Sequence, residues 1–186
     1  MTTWQRIDTN NWMGSRERRL CLAMNRWGTR QALRRLFGIV SRLGDGVFWY
    51  ALMAVLAALG GSRGAIAALH MALTGIAAAT LYRTLKRWTK RPRPFRSHGD
   101  IVPYVAPLDE FSFPSGHTLH AVSFTLIALA YFPVLAPLLL PFTLLVALSR
   151  VVLGLHYPSD VLAATVIGVV LGGVSLWMAP AGFWLA

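Results

Sequence analysis

Five apolar runs divide this chain, and they restrict it more than any other feature. They lie at about 46–60, 65–85, 118–132, 134–148 and 160–178. A helix that crosses a bilayer needs roughly 20 mostly apolar residues. Some of these runs fall short of that, so their ends are expected to continue into the interface or into buried loops. The chain of 186 residues is 55% hydrophobic and only 13% charged, whereas a soluble domain has about 25% charged residues. Its solvent is therefore expected to be lipid. Gly and Ala are frequent in the second and fifth runs, which suits close helix packing in a membrane. The expected fold is all-α: an integral membrane bundle of about five transmembrane helices, with an interfacial helix ahead of them.

That leading helix is read from residues 15–44. Arg19, Arg26, Arg30, Arg34, Arg35 and Arg42 interrupt the stretch, so it should not span. Yet Leu33, Leu36, Phe37, Val40 and Leu43 recur at helical spacing. The pattern predicts an amphipathic helix in the membrane surface, with Trp4, Trp12 and Trp27 as anchors. A solvated basic tail is the plainer reading. Residues 1–45 are accordingly taken as an interfacial segment and 46–186 as the membrane-embedded domain. The first 45 residues lack an uninterrupted apolar core, so no cleavable signal peptide is expected. The one cysteine, Cys21, allows no intrachain disulfide.

Threading five spans gathers the charge. Call the N-terminal side of the first span side A. Side A then holds the N-terminal segment, the loop 83–113 and the turn 150–158. Nine Lys and Arg precede residue 45, seven lie in 83–96, and Arg150 adds one, which makes 17 of the 18. Only Arg63 falls on the other side. The net charge of +11 suits nucleic acid, anionic lipid or an anionic substrate. Most basic residues are tied to span ends, which speaks against nucleic acid.

Three polar clusters share side A: "KRWTKRPRPF" at 86–95, "FPSGHT" at 113–118 and "SRVVLGLHYPSD" at 149–160. Singly, each has a plain explanation. A basic run after a span is usually a topology signal or a lipid contact. Ser115 suits a helix cap and Pro158 an early helix position. Together they suggest a metal site or an anion-handling site. His117, His120, His156 and Asp160 could nominally ligate a metal, but Lys86, Arg93 and Arg150 would repel it, so no metal and no cofactor are expected. Phosphoryl transfer instead needs cations on the phosphoryl oxygens, an in-line nucleophile and an acid for the leaving group. Lys86, Arg93 and Arg150 supply the cations. The backbone N–H groups of Ser115 and Gly116 supply an anion cradle at a helix start. Of the histidines, only His156 has a carboxylate four residues on. If that stretch is helical, Asp160 shares its face and can orient the imidazole. His156 is then the better nucleophile and His117 the better acid. Asp100, Asp109 and Glu110 are placed near the entrance without a role. His70, His98 and His120 are given none.

These residues resemble the motifs of the type 2 phosphatidic acid phosphatase superfamily, which includes membrane lipid phosphatases and soluble vanadium haloperoxidases. Lys86 with Arg93-Pro94 matches the first motif, while Arg91-Pro92 fails the register because its partner position is Thr84. Pro114, Ser115, Gly116 and His117 match the second. Ser149, Arg150, His156 and Asp160 match the third, with no departure at any motif position. The resemblance implies a helical membrane bundle, a phosphohistidine on His156, His117 as general acid and metal independence. It implies phosphate held by Lys86, Arg93, Ser115, Gly116 and Arg150. The soluble branch is disfavoured by the hydrophobicity of this chain.

The expected partners are the bilayer and a lipid phosphate. By resemblance to the small bacterial members of the family the substrate is undecaprenyl diphosphate. The alternatives are phosphatidylglycerol phosphate, phosphatidic acid and lipid A phosphates. A non-enzymatic reading is a scaffold whose basic face binds anionic lipid. The expected location is the bacterial inner membrane, but its sidedness is in conflict. The positive-inside rule places side A in the cytoplasm, whereas the resemblance favours the periplasm.

Overall fold

The computed structural model describes residues 12–179; Trp4 lies outside them. The helices are α1 (Trp12–Asn25), α2 (Gln31–Arg42), α3 (Phe48–Leu59), α4 (Gly61–Thr89), the short α5 (Pro94–Ser97), α6 (Gly116–Tyr131), α7 (Ala136–Val152) and α8 (Pro158–Met178). The described residues contain no β-strand, and one isolated bridge pairs Pro92 with Phe111. The all-α membrane bundle is therefore as expected.

The first span differs from the expected one. α2 and α3 join through a single wide turn, Leu43–Val47, across a kink at Gly46, whose φ is +134°. The 29 residues Gln31–Leu59 are together apolar and long enough to cross a bilayer. α3 alone, at 12 residues, is only about 18 Å long. Part of the stretch expected to lie on the membrane surface thus belongs to a candidate span. Its amphipathicity is the reason. α2 buries Phe37 and Val40 while Arg34, Arg35 and Arg42 stay exposed, so arginines that interrupt the sequence do not interrupt the packed face. The kink falls at a glycine because a side chain rarely adopts that φ.

Three further helices are long and apolar enough to span: Gly61–Thr89, Pro133–Val152 and Pro158–Met178. α4, with 29 residues, reaches about 43 Å, more than the roughly 30 Å of hydrocarbon. Its last turns, with Lys86, therefore clear the bilayer core, and the two X-Pro steps at 91–94 end it. α6 has only 16 residues. It is the buried centre, packed against α4, α7 and α8, with Leu119, Ala121, Ile127, Ala128 and Tyr131 almost fully enclosed.

Small residues set the close approaches. On α8, Ala164, Gly168 and Gly172 recur every four residues and face α6. A Cβ on Gly168 would stand 3.0 Å from both the Leu119 carbonyl oxygen and Val122 Cβ. The outer surface keeps Leu59, Leu73, Ile76, Leu162, Val170 and Trp177 exposed, as a lipid-facing surface does.

α1 and the loop after α5 close one end of the bundle. Asn25 links them to α7. Its Nδ2 donates to the carbonyls of Val102 and Val152, at 2.9 and 3.0 Å, and its Oδ1 accepts from the Val102 N–H at 3.0 Å. At this end the last turns of α4 and α7 meet the first turns of α6 and α8.

Candidate active site

A cavity of about 870 Å³ opens at that end. Its polar wall carries Lys86, Arg93, Gly116, His117, Arg150 and His156. Its apolar wall carries Trp49, Tyr50 and Met53 from α3 with Ala72, Ile76 and Ala79 from α4. Three segments that lie far apart in sequence thus share one pocket.

Arg93 sits at its centre, 1% exposed. It precedes Pro94 at the start of α5, with an extended backbone that turns its side chain inward. Nη1 donates to the Leu155 carbonyl at 2.7 Å and lies 3.3 Å from His156 Nε2. Nη2 donates to Asp109 Oδ1 at 2.8 Å, and Nε to the Asp109 carbonyl at 3.0 Å. Lys86, 5% exposed, donates from Nζ to both Asp109 oxygens, at 2.8 and 2.7 Å, and to the Phe111 carbonyl at 3.0 Å. Asp109 therefore bridges two of the three cations. Burial alone would raise its carboxyl pKa. The hydrogen bonds and charges of Lys86 and then Arg93 outweigh that and hold it below the usual carboxylate range.

Arg150, in the last turn of α7, is buried. Its Nη1 donates to Ser41 Oγ of α2 in a short hydrogen bond. Its Nε has no hydrogen-bond partner among the described residues.

His156 lies in the turn between α7 and α8, not in a helix. The helical face expected to align it with Asp160 is absent. Asp160 is instead the third residue of α8, which begins at Pro158. Its Oδ2 accepts the Tyr157 N–H at 2.9 Å and stands 3.6 Å from His156 Nδ1. Its Oδ1 accepts from Arg91 Nη1 at 2.8 Å. Helix capping and the turn still bring the carboxylate beside the imidazole, at ion-pair distance, while Nδ1 has no hydrogen-bond partner among the described residues. Nδ1 thus faces Asp160 while Nε2 faces Arg93 and the cavity. Burial, then the charges of Arg150, Arg93 and Lys86, hold the His156 pKa well below its ordinary value, so the ring is neutral near pH 7.

Ser115 caps α6. Its Oγ accepts the Thr118 N–H at 3.5 Å and lies 3.0 Å from Thr118 Oγ1. Its own N–H donates to the Asp160 carbonyl at 3.3 Å. Of the expected two-amide cradle, the Ser115 amide is thus engaged in tying α6 to α8. Gly116 lines the cavity, and a Cβ there would come within 3.3 Å of the Tyr82 ring. His117 follows, with Nε2 3.2 Å from Asp45 Oδ1. His120 bridges the Gly116 and Gly75 carbonyls. His70 is held by Tyr131 and Ser175.

Four residues at the site went unread in the sequence. Arg91, set aside by the motif register, stacks over Tyr157 at 4.1 Å and pairs with Asp160 and Glu17. It braces the back of Asp160 while Arg93 takes the front of the pocket. Glu17, Ser41 and Asp45 come from the N-terminal segment, where no spacing marked them. Asp109 was noticed only as an acidic residue in a basic loop; that it bridges Lys86 and Arg93 follows from the path of the loop.

Known proteins resemble this chain in sequence and in fold. The PAP2 superfamily profile matches residues 63–184. Undecaprenyl-diphosphatase BcrC of Bacillus subtilis (strain 168) is 33% identical over 106 residues, 56% of this chain and 53% of that protein. The match therefore spans about half the length of that curated relative. Among solved structures, the transmembrane PAP2 type phosphatidylglycerolphosphate phosphatase from Bacillus subtilis superposes with a TM-score of 0.72 at 25% identity, over 90% of this chain and 86% of that one. Aquifex aeolicus LpxE superposes with a TM-score of 0.74, also at 25% identity, over 86% and 93%. With the profile covering all three polar clusters and the folds superposing over most of their length, this multi-pass membrane chain belongs to the PAP2 superfamily.

Proposed function

We propose that the chain is a metal-independent lipid phosphate phosphatase working through a phosphohistidine on His156. One observation carries the reading: an imidazole nitrogen, His156 Nε2, lies 3.3 Å from Arg93 Nη1 inside a cavity walled by three cations. A phosphate bound by Lys86, Arg93 and Arg150 presents its phosphorus to that lone pair. The Arg150 Nε, buried without a partner among the described residues, suits a group that receives an anion from outside. Gly116 lets the start of α6 come close to the phosphate.

The chemistry has two halves. Nε2 gives its lone pair to the terminal phosphorus, and the P–O bond to the leaving oxygen (the lipid's ester oxygen in a monophosphate, the bridging oxygen in a diphosphate) breaks with its electron pair on that oxygen. His117 protonates that oxygen. Water then attacks phosphorus, His117 takes its proton, and the P–N electron pair returns to His156. Asp160, 3.6 Å from Nδ1, offsets the charge of the phosphorylated ring. The cations stabilise the charge on the transferring group throughout.

The apolar wall between α3 and α4 supports an amphiphilic substrate, its phosphate at the interface and its chain toward lipid. Undecaprenyl diphosphate is the favoured one, in keeping with the 33% identity to an undecaprenyl-diphosphatase. The proposed location is the bacterial inner membrane. The test is phosphate release by purified protein, with chelator present, from undecaprenyl diphosphate, phosphatidylglycerol phosphate, phosphatidic acid and lipid A, compared by kcat/KM. Undecaprenyl diphosphate should lead. His156→Ala should lower release by roughly 10³-fold or more and abolish labelling of the protein by phosphate. Full activity in that variant would refute the mechanism, and loss of activity in chelator would restore a metal. A scaffold that only binds anionic lipid would tolerate His117→Lys.

A further inference from the structure

We infer that Asp45 is the positioning residue of the proposed acid, His117, and that the N-terminal helix pair is thereby part of the catalytic apparatus. The inference rests on the phosphohistidine reading above. Asp45 lies outside the residues matched by the family profile, 63–184, and no sequence motif marks it.

The geometry is specific. The wide turn Leu43–Val47 interrupts the helical stretch where it passes the start of α6. Gly44 is pressed onto α7, where a Cβ would stand 2.7 Å from Val146 Cγ2. Gly46 takes the positive φ that bends the chain. Between them Asp45 reaches the cavity, with Oδ1 3.2 Å from His117 Nε2. Ser41, one helical turn earlier, accepts from Arg150. Two residues of one helical face, four apart, thus touch two residues of the motifs.

The charge around His117 gives the pairing its purpose. It is faced by Arg150 from α7, Lys86 from α4, His156 from the turn before α8 and His120 from its own helix. None of these favours the imidazolium that must exist to donate a proton. Asp45 is the carboxylate in contact with the ring among the described ion pairs. It holds the Nε2 proton and leaves Nδ1 to serve the lipid oxygen. This is the arrangement His156 has in reverse, with Asp160 on Nδ1 and the cavity on Nε2.

A double-mutant cycle in the full chain tests the assignment. Asp45→Asn should lower kcat about 10- to 100-fold and shift KM less, because Asp45 contacts His117 and acts on the phosphate-holding Arg150 only through its charge. Asp45→Glu should recover part of the loss. In a His117→Ala background, Asp45→Asn should cost much less, since only its charge effect on Arg150 remains. An unchanged kcat in Asp45→Asn, or the same fractional loss in both backgrounds, would overturn the inference. Thermal midpoints of all four proteins separate a folding defect from a catalytic one. Retained activity in His156→Ala would instead sink the underlying mechanism, so the two failures are distinguishable.

Discussion

Asp109 makes with Lys86 and Arg93 the contacts that a phosphate oxygen would make: three charge-assisted hydrogen bonds between 2.7 and 2.8 Å. A phosphate and this carboxylate compete for the same donors. The carboxylate is 40% exposed, so solvent screens the pair and its strength is well below that of a buried one. Asp109→Asn is expected to tighten inhibition by orthovanadate about 3- to 10-fold, roughly 1.4 kcal/mol at the upper end. Weaker inhibition would mean that Asp109 arranges the two cations and does not compete with the anion. The second prediction at this scale concerns pH. Only the neutral form of His156 has a lone pair to give, and its pKa is held well below the ordinary value. The acid limb of kcat/KM should therefore lie below pH ~6.5, the ordinary histidine value. The stability sign agrees. An unfolded chain protonates this histidine near pH ~6.5 while the folded one does not, so its contribution is full above that pH. It is lost as pH falls toward the folded pKa.

At the scale of the helix, contact between α6 and α8 decides whether Ser115 and Asp160 meet. The Ser115 N–H donates to the Asp160 carbonyl, and that contact holds only while the two helices stay close. Gly168 keeps them close. Gly168→Val is expected to lower the thermal midpoint, with a cost of about 1–3 kcal/mol from overpacking. It should lower kcat as well, because His117 on α6 and His156 in the turn before α8 move apart. Gly173, where nothing lies within 4 Å of an added Cβ, serves as the control: Gly173→Ala should leave both unchanged.

For the molecule as a whole, its direction in the membrane decides which lipid phosphates the site can reach. The first span approaches from the site end, and α8 runs from the site to end at Met178 on the opposite side. The charges at 86–93 are committed to the pocket, so they are poor evidence for the cytoplasmic side. The arginines of α1 and α2 are better evidence, and an interfacial segment can hold them against anionic lipid on either leaflet. If the site faces the periplasm, as proposed for an undecaprenyl diphosphate phosphatase, a periplasm-only reporter fused to the C-terminus should be inactive. An active reporter would put the pocket in the cytoplasm and favour phosphatidylglycerol phosphate.

Much of this protein was legible in one dimension. The apolar runs announced a helical membrane bundle, because length and hydropathy alone decide whether a helix can sit in lipid. The Lys86, Arg93, His117, Arg150 and His156 constellation was legible because those residues carry unusual chemistry at fixed spacings. Other features required the fold. The first span was read too short: the amphipathic helix was visible in the spacing, but Arg34, Arg35 and Arg42 hid that it continues through Gly46 into α3. The partnership of Asp160 with His156 was read as a helical i, i+4 pair, but a helix start and a turn produce it. Asp45, Ser41, Asp109 and Arg91 carry no signal of their own. Such a side chain acquires a role from the charge beside it, and that neighbour lies from 16 to 109 residues away in sequence. Spacing encodes what a single helix or turn presents; which distant charges meet is decided only when α2, α4, α6 and α8 pack.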